Sequence, residues 1–236
     1  MTGASVLPVS IHNGQIYFLF GLENEFEDSA KGFSDFGGGV EKGEEIEDTA
    51  FREGGEELTG FLGDGNRLKE HMKNHGGNYK LSFNDYHVHV FYLEYDPNLP
   101  KYYNWNHAFL WEKMDKKLLS KTKLFEKSEI QWFSVNMMKT RLKEFRPFYQ
   151  DIVKQLVVQR KNIYKFAMRT HAKKNKTRRK RGSSSRKRKT GKSMKSVTFT
   201  FPKEGNRFSF NNSTSSHKVF RKTPYLRIKK RITTRI

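Results

Sequence analysis

The chain has 236 residues, with 46 Lys and Arg against 25 Asp and Glu, a formal net charge of +21 and no cysteine. This length allows one domain of ordinary size plus an appendage, and the lack of cysteine excludes disulfides and thiolate metal sites. No apolar run approaches the roughly 18 residues that span a bilayer, and the first residues lack the order of a signal peptide, so we expect an intracellular protein, cytoplasmic or nuclear, without a membrane partner.

The charge is divided unevenly along the chain. Residues 159–236 contain 27 Lys and Arg and one acid, Glu204, whereas residues 1–158 contain 19 Lys and Arg against 24 Asp and Glu. This division predicts a mildly acidic globular domain followed by a basic tail. We place the domain at residues 1–161 and the tail at residues 162–236.

The first half of the chain predicts strands around one helix. Strands are expected over 4–11 and 15–21, because the intervening His12-Asn13-Gly14 contains an Asn-Gly hairpin signal. A polar loop over 22–32 and a glycine run follow, and a helix is predicted over 46–58, where apolar residues recur at every fourth position.

The second half predicts further strands and a closing helix. Residues 62–77 are polar, and the segments 79–83 and 86–95 read as strands rich in aromatic and β-branched residues. Residues 96–127 predict a loop with a short helix, and residues 129–133 predict a strand. An amphipathic helix is expected over 138–161, where apolar residues follow three- and four-residue spacing.

Three carboxylates stand together on the helix predicted over 46–58. Glu53, Glu56 and Glu57 are related by i, i+3 and i+4 and therefore share a helical face. Unpaired carboxylates in this arrangement repel each other, and a hard divalent cation such as Mg²⁺ removes that repulsion. Arg52 lies one turn before Glu56 and can orient the cluster by ion pairing.

The spacing from Gly38 to Glu57 resembles the signature of the Nudix hydrolases. Gly38 is followed by Glu44 six residues later, then by Arg52-Glu53 and by Glu56-Glu57. The resemblance implies an αβα sandwich with a mixed sheet, here followed by a basic, largely disordered C-terminal tail.

The same resemblance implies a chemistry and its residues. It implies hydrolysis of the diphosphate linkage in a nucleoside diphosphate linked to another moiety, with Mg²⁺ as the cofactor and Mn²⁺ as an alternative. The expected metal ligands are Glu53, Glu56, Glu57 and the carbonyl of Gly38. Arg52 and Glu44 complete the expected catalytic set. The substrate-binding residues are unknown.

Two positions depart from the signature. Gly54 occupies the place of a bulky apolar residue, and Thr59 replaces a glycine that arrives one residue late as Gly60. A glycine inside a helix costs about 1 kcal/mol relative to alanine. A close approach of the helix to the sheet at Gly54 would compensate for this cost.

Several other side chains have two interpretations. The general base is expected among Glu112, Glu126 and Glu129, and the sequence does not choose between them. His87 and His89 are two residues apart on a predicted strand and face the same side, and we interpret them as a cross-strand pair or as pocket lining rather than as a metal site. The following aromatic residues fit either substrate stacking or the core: Tyr102, Tyr103, Trp105 and Trp111.

The basic tail predicts contact with nucleic acid or nuclear targeting. Residues 172–192 contain 12 Lys or Arg, a density that attracts RNA or DNA phosphates through counterion release and also fits a nuclear localisation signal. Residues 197–210 alternate around a turn and predict a short β-hairpin. An RNA-linked substrate such as a capped 5′ end is therefore expected, with free nucleotides and diphosphoinositol phosphates as alternatives. A second hypothesis is a nucleic-acid-binding protein with weak catalysis on the same scaffold.

Overall fold

The computed structural model describes residues 2–24, 31–121 and 125–186, and for residues 120, 121 and 173–186 it describes the backbone alone. The strands are β1 (Gly3–His12), β2 (Gln15–Glu23), β3 (Phe33–Ser34), β4 (Phe36–Gly39), β5 (Asn78–Phe83), β6 (Tyr86–Tyr92) and β7 (Lys127–Ser134). The helices are α1 (Ile46–Glu57), α2 (Gly65–Asn74), α3 (Leu99–Lys113), α4 (Lys116–Lys121), α5 (Val135–Thr140) and α6 (Tyr149–Arg186), with a 3-10 turn over Leu142–Glu144. None of these helices is both long enough and apolar enough to cross a bilayer. The hairpin predicted over 197–210 lies outside the described residues.

The strand β1 organises a mixed sheet of seven strands. It runs parallel to β6, with Gly3 opposite Tyr86. It is antiparallel to β4 through its first residues and to β2 through its last ones. The sheet order is β3-β2-β1-β6-β5, and β7 pairs with β2. The predicted hairpin is confirmed, since His12 pairs with Gln15 across Asn13-Gly14, both of which have positive φ.

Helices cover both faces of the sheet. Alternate β1 residues point to opposite sides, so that Leu7 and Val9 join the core beneath α6, whereas Val6 joins the core shared with α1, α2 and α3. Each face therefore buries its own apolar layer, as the period of two in a strand requires. This arrangement confirms the predicted αβα sandwich.

The helix predicted over 138–161 is wrong in its bounds. The chain forms α5, breaks at the 3-10 turn and starts α6 at Tyr149. Pro147 lies in the break, has no amide hydrogen to donate and disfavours helical backbone at Arg146. The amide of Arg146 instead donates to the carbonyl of Phe33 at 3.1 Å.

The helix α6 continues beyond residue 161, where the sequence predicts the start of the tail. Ile163 and Ala167 are fully buried in the core under α6, and Thr170 is buried as well. The packed part of the chain thus extends past the predicted boundary. A truncation that removes residues 162–236 would cut into this core.

The structure contains elements that the sequence analysis did not predict. The helix α2 lies in the segment 62–77, to which no element was assigned because it is polar, and it packs Leu68 and Met72 against the sheet. The strand β4 lies in the glycine run, where an added Cβ on Gly37 would come within 2.2 Å of the Ser5 Cβ. The segment 96–127 contains two helices, α3 and α4, rather than one short helix.

Gly54 lets α1 approach β1 closely. A Cβ added at Gly54 would lie 2.3 Å from Cγ2 of Val6, and Val6 is a stiff, fully buried β-branched side chain. We expect Gly54→Ala to lower the free energy of unfolding, because overpacking costs about 1–3 kcal/mol and exceeds a helix-propensity gain of about 1 kcal/mol. Urea unfolding measures the loss.

A double-mutant cycle with Val6→Ala tests the stated cause. Removing the Val6 methyl groups should relieve part of the clash, so the double variant should lose less stability than the sum of the two single losses. Additive losses would contradict a direct contact between Gly54 and Val6.

Candidate active site

Arg52 is held at the start of the site by Glu44. The guanidinium donates from Nε to Glu44 Oε1 and from Nη2 to Glu44 Oε2, both at 2.9 Å. Thr49 Oγ1 donates to the same carboxylate at 2.7 Å. The hydrogen bonds from Arg52 lower the pKa of Glu44 to about 2, so Glu44 stays ionised and keeps Arg52 in one orientation.

The other edge of Arg52 joins two of the predicted metal ligands. Its Nη1 lies 2.9 Å from Glu53 Oε1 and 3.1 Å from Glu56 Oε2. Its Nη2 also donates to the carbonyl of Gly39 at 3.4 Å. Hydrogen bonding to Glu44 raises the pKa of Arg52. One guanidinium therefore hydrogen-bonds to three carboxylates. The formal charge of Arg52 together with these three side chains is negative.

The carboxylate of Glu53 lies directly over Gly38. A Cβ added at Gly38 would come within 2.5 Å of the Glu53 carboxyl carbon. Gly38 pairs with Ala4 of β1, and its carbonyl lies against Gly3. The carbonyl that contacts the site is that of Gly39, since successive peptide groups in a strand face opposite ways. The glycine run therefore leaves room for Glu53, and the Gly39 carbonyl is the one that contacts Arg52.

Glu57 points into the protein, away from Glu53 and Glu56. It is 4% exposed and accepts a hydrogen bond from the amide of Gly37 at 2.9 Å. The ammonium of Lys127 lies 3.4 Å from its Oε2. Burial raises the pKa of Glu57 well above its usual value, although Lys127 opposes this shift. The three carboxylates that share a helical face in the sequence thus divide between the surface and the interior.

Lys127 is a buried cation that the sequence did not reveal. Its side chain is 0% exposed and also pairs with Glu23, while Ser34 Oγ accepts a bond from it at 2.9 Å. Burial alone would lower the pKa of Lys127, but Glu57 and Glu23 outweigh it and raise the pKa. Glu23 also pairs with Arg146 at 2.7 Å. No local pattern around Lys127 distinguishes it from a surface lysine.

Asp35 extends this buried polar network toward β6. It is 1% exposed and accepts hydrogen bonds from Ser5 Oγ at 2.5 Å and from the Tyr86 hydroxyl at 2.8 Å. Burial raises the pKa of Asp35 to about 6. Neither Asp35 nor Glu23 was selected from the sequence, because isolated acids carry no signal of burial.

An open cleft of about 1280 Å³ lies above Arg52, between α1 and α2. Its lining includes seven carboxylates, those of Glu41, Glu44, Asp48, Glu53, Glu56, Asp64 and Glu126. Of the described residues in the lining, Arg52 and Lys69 are the cations. We call this the acidic cleft. A diphosphate is repelled from such a surface unless cations accompany it.

The donor atoms of the acidic cleft fit a hard divalent cation. Glu53, Glu56 and Glu126 supply carboxylate oxygens, the ligands that Mg²⁺ prefers. Among the residues that the structure describes, no three Asp, Glu, His or Cys side chains are already gathered as a metal site. A divalent cation that binds Glu53 and Glu56 would therefore replace the contacts that Arg52 makes with them.

The three candidates for a general base differ in their position relative to the acidic cleft. Glu126 lines the acidic cleft. Glu112 lies at the exposed end of α3 and is 3.7 Å from Lys113, and Glu129 is paired within the sheet opposite Leu22. The geometry therefore favours Glu126.

The four aromatic candidates lie outside the acidic cleft. Tyr103 is buried, and its hydroxyl donates to the carbonyl of Lys127 at 2.8 Å. Trp111 stacks on His107 with ring centroids 5.3 Å apart. Tyr102 and Trp105 are exposed on α3. None of the four is in the described lining of the acidic cleft, so of the two interpretations the structure gives no support to substrate stacking, and Tyr103 belongs to the core.

The two histidines of β6 are bound by neighbouring polar groups. His89 is buried and its Nδ1 lies 3.1 Å from the side-chain amide of Asn78. His87 Nδ1 lies 2.9 Å from Ser82 Oγ. Burial lowers the pKa of His89 to about 4, which keeps it neutral.

The ion pair of Glu44 with Arg52 predicts a pH dependence of stability. The pKa of Glu44 falls from an ordinary 4.5 to about 2 on folding, so its contribution is complete above about pH 4.5 and is lost as the pH falls toward 2. The melting temperatures of the wild type and of Glu44→Gln should therefore converge over this range. A difference that is constant with pH would contradict an ionised pair.

Comparison with known proteins gives similarity in structure only. No protein-family model matches the chain, and no curated protein matches it in sequence. A C. elegans Ap4A hydrolase, solved as a binary complex, is 12% identical with a TM-score of 0.36, and the match covers 66% of this chain and 95% of that chain. A MutT/Nudix family protein from Listeria innocua is 14% identical with a TM-score of 0.35, and the match covers 68% of this chain and 94% of that chain.

Proposed function

We propose that this chain is a divalent-metal-dependent hydrolase that cleaves the diphosphate linkage of a nucleoside diphosphate joined to another moiety. The resemblance of residues 38–57 to the Nudix signature supports this function. The observation that carries it is the acidic cleft, whose lining in the described part of the chain has seven carboxylates and two cations. An anionic substrate can bind such a surface only together with metal ions.

The residues of α1 would hold the metal. Glu53, in the space above Gly38, and Glu56 would be carboxylate ligands, and the carbonyl of Gly39, which accepts a hydrogen bond from Arg52, would be the backbone ligand. A bound divalent cation would neutralise the diphosphate and lower the pKa of an attacking water. Arg52, fixed by Glu44, would remain beside the carboxylates and contact the substrate phosphates.

Two further residues complete the proposed site. Glu126 lines the acidic cleft and would accept the proton of the attacking water. Glu57 would act from the interior, because its hydrogen bond to the amide of Gly37 fixes β4 beside the glycine that contacts Glu53. In this proposal Glu57 positions the site and does not contact the substrate.

A capped 5′ end of RNA is the proposed substrate. The 12 Lys and Arg of residues 172–192 would attract the RNA backbone through counterion release, which a free nucleotide cannot exploit to the same extent. Free nucleotides and diphosphoinositol phosphates are the alternatives that the experiment must separate from it.

Hydrolysis across a substrate panel tests the proposed function. The panel contains nucleoside triphosphates, dinucleoside polyphosphates, ADP-ribose, nucleotide sugars, a diphosphoinositol phosphate and capped RNA, each with Mg²⁺, with Mn²⁺ and with EDTA. We expect metal-dependent turnover that EDTA abolishes, with capped RNA as the preferred substrate. Turnover that survives EDTA, or none on any diphosphate, would overturn the proposal.

A further inference from the structure

A second cleft lies at the other end of β7. Its volume is about 680 Å³, and it is bounded by the turn between β1 and β2, by the start of α5 and by α6. Its lining includes Lys139, Arg160, Lys161, Tyr164 and Lys165. We call it the basic groove.

The basic groove has the opposite charge from the acidic cleft. Among the residues that the structure describes, four cationic side chains line it and no carboxylate does. Lys139, Lys161 and Lys165 are exposed, and no ion pair to an acid involves them or Arg160 in the described part of the chain. Like charges gathered without counterions are costly, so a polyanion that binds there gains from neutralising them.

The helix α6 arranges these groups with one aromatic ring among them. Residues 160 and 164, and residues 161 and 165, are each one turn apart and therefore neighbours on the helix surface. Tyr164 is partly buried and packs against the core beneath α6, which holds its ring in place. Arg160 is anchored by a bond from Nη1 to the carbonyl of Val157 at 2.7 Å.

We propose that the basic groove binds single-stranded nucleic acid, with the lysines contacting phosphates and Tyr164 stacking on an unpaired base. Cations that follow a backbone, together with an aromatic ring for stacking, are the usual means of binding single strands. The bases of a duplex already stack on each other and would not be available to Tyr164. A flat membrane surface would not fill a groove.

The basic groove is separate from the acidic cleft. Glu126 of the acidic cleft directly precedes β7, whereas Ser134 of the basic groove ends it. Eight residues of a strand span roughly 25 Å. The two sites also use helices that pack on opposite faces of the sheet, α1 and α6. Binding in the groove can therefore be tested without any hydrolysis.

Salt-dependent binding to the full chain is the test. Fluorescence anisotropy is measured with an unstructured RNA of about 16 nucleotides that carries a 5′-hydroxyl and no diphosphate, between about 50 and about 200 mM salt. The triple variant Lys139→Ala/Lys161→Ala/Lys165→Ala should bind about 10- to 100-fold more weakly. The slope of log K against log salt should fall by about 2, because each lost phosphate contact removes about 0.7.

A matched variant removes the same charge elsewhere. Lys73, Lys101 and Lys113 are exposed lysines of α2 and α3 that lie outside the groove lining, and their triple replacement by alanine should leave the slope unchanged. A second pair tests stacking, since Tyr164→Ala should weaken binding whereas Tyr164→Phe should retain it. This pair also keeps the proposal testable if the triple variant fails to fold.

Three results would overturn the proposal. Equal losses in both triple variants would show an effect of net charge alone, and no loss in the groove variant would assign binding to the basic tail. Loss of binding to phosphatidylserine vesicles with unchanged RNA binding would make the groove a membrane contact.

Single-stranded DNA of the same sequence shows whether the sugar contributes, since equal affinity means recognition by phosphate and base stacking alone.

Discussion

Glu53→Gln is expected to lower kcat for diphosphate hydrolysis by about 100-fold or more, because removing even a group that only orients a metal ligand costs about 10- to 100-fold. Glutamine has nearly the size of glutamate, so it should still fit above Gly38, where Glu53 lies against the glycine. The variant therefore loses one negative charge without a change in packing. Steady-state kinetics at several Mg²⁺ concentrations measure both kcat and the apparent affinity for the metal.

The control for this variant lies on the same helix. Glu47 pairs with Lys80 at 3.1 Å and is absent from the lining of the acidic cleft, so Glu47→Gln should keep the wild-type kcat. Unaltered turnover in Glu53→Gln would show that Glu53 is not a ligand. Equal losses in both variants would point to a general effect of charge on α1.

Lys127→Met is expected to produce the largest loss of stability, about 3–5 kcal/mol, because breaking a buried ion pair leaves its partners uncompensated. Glu57 and Glu23 would both remain buried, and Glu23 alone would retain a cation, Arg146. Methionine approximates the volume of the lysine stem, so a packing defect contributes little. Urea unfolding at neutral pH measures the change.

The pH dependence of this variant identifies the cause. Burial already raises the pKa of Glu57, and Lys127 limits that rise. Without Lys127 the pKa should rise further, so at neutral pH the folded chain would hold a proton on Glu57 that the unfolded chain releases. The free energy of unfolding of Lys127→Met should therefore increase as the pH falls, and this increase should be complete below the pKa of Glu57 in the unfolded chain. Lys127→Met/Glu57→Gln should recover part of the loss at neutral pH. A loss of the same size at every pH would indicate a packing defect instead.

Local patterns were sufficient to predict α1, which carries the proposed metal ligands, and the hairpin of β1 and β2, but not β4 or α2. The hairpin at Asn13-Gly14 depends on two residues with positive φ, and α1 follows from apolar residues at every fourth position. Two missed features also had local signals. Pro147 marks the break before α6. Asp64 is a typical N-terminal helix cap and indicates the start of α2; its side chain accepts a hydrogen bond from the amide of Arg67 at 2.9 Å.

The interior of the site could not be predicted in this way. Lys127 is buried because Glu23 and Glu57 arrive from distant elements, β2 and α1, and nothing in the residues beside Lys127 records that meeting. The inward direction of Glu57 has the same origin, since it depends on the amide of Gly37 in β4. Helical spacing determines which residues share a face, but the charges that surround the helix determine where each carboxylate points.

The pairing of β1 has a consequence for the rate of folding. Its parallel partner β6 begins at Tyr86, opposite Gly3, so the centre of the sheet closes only after a long loop has been ordered. Contacts between such distant residues slow folding, because the entropy of closing the loop is lost before the contacts are gained. The hairpin with β2 is local and can form in microseconds. We therefore expect β1 to meet β2 early and β6 late, with the pairing of β1 and β6 as the slow step.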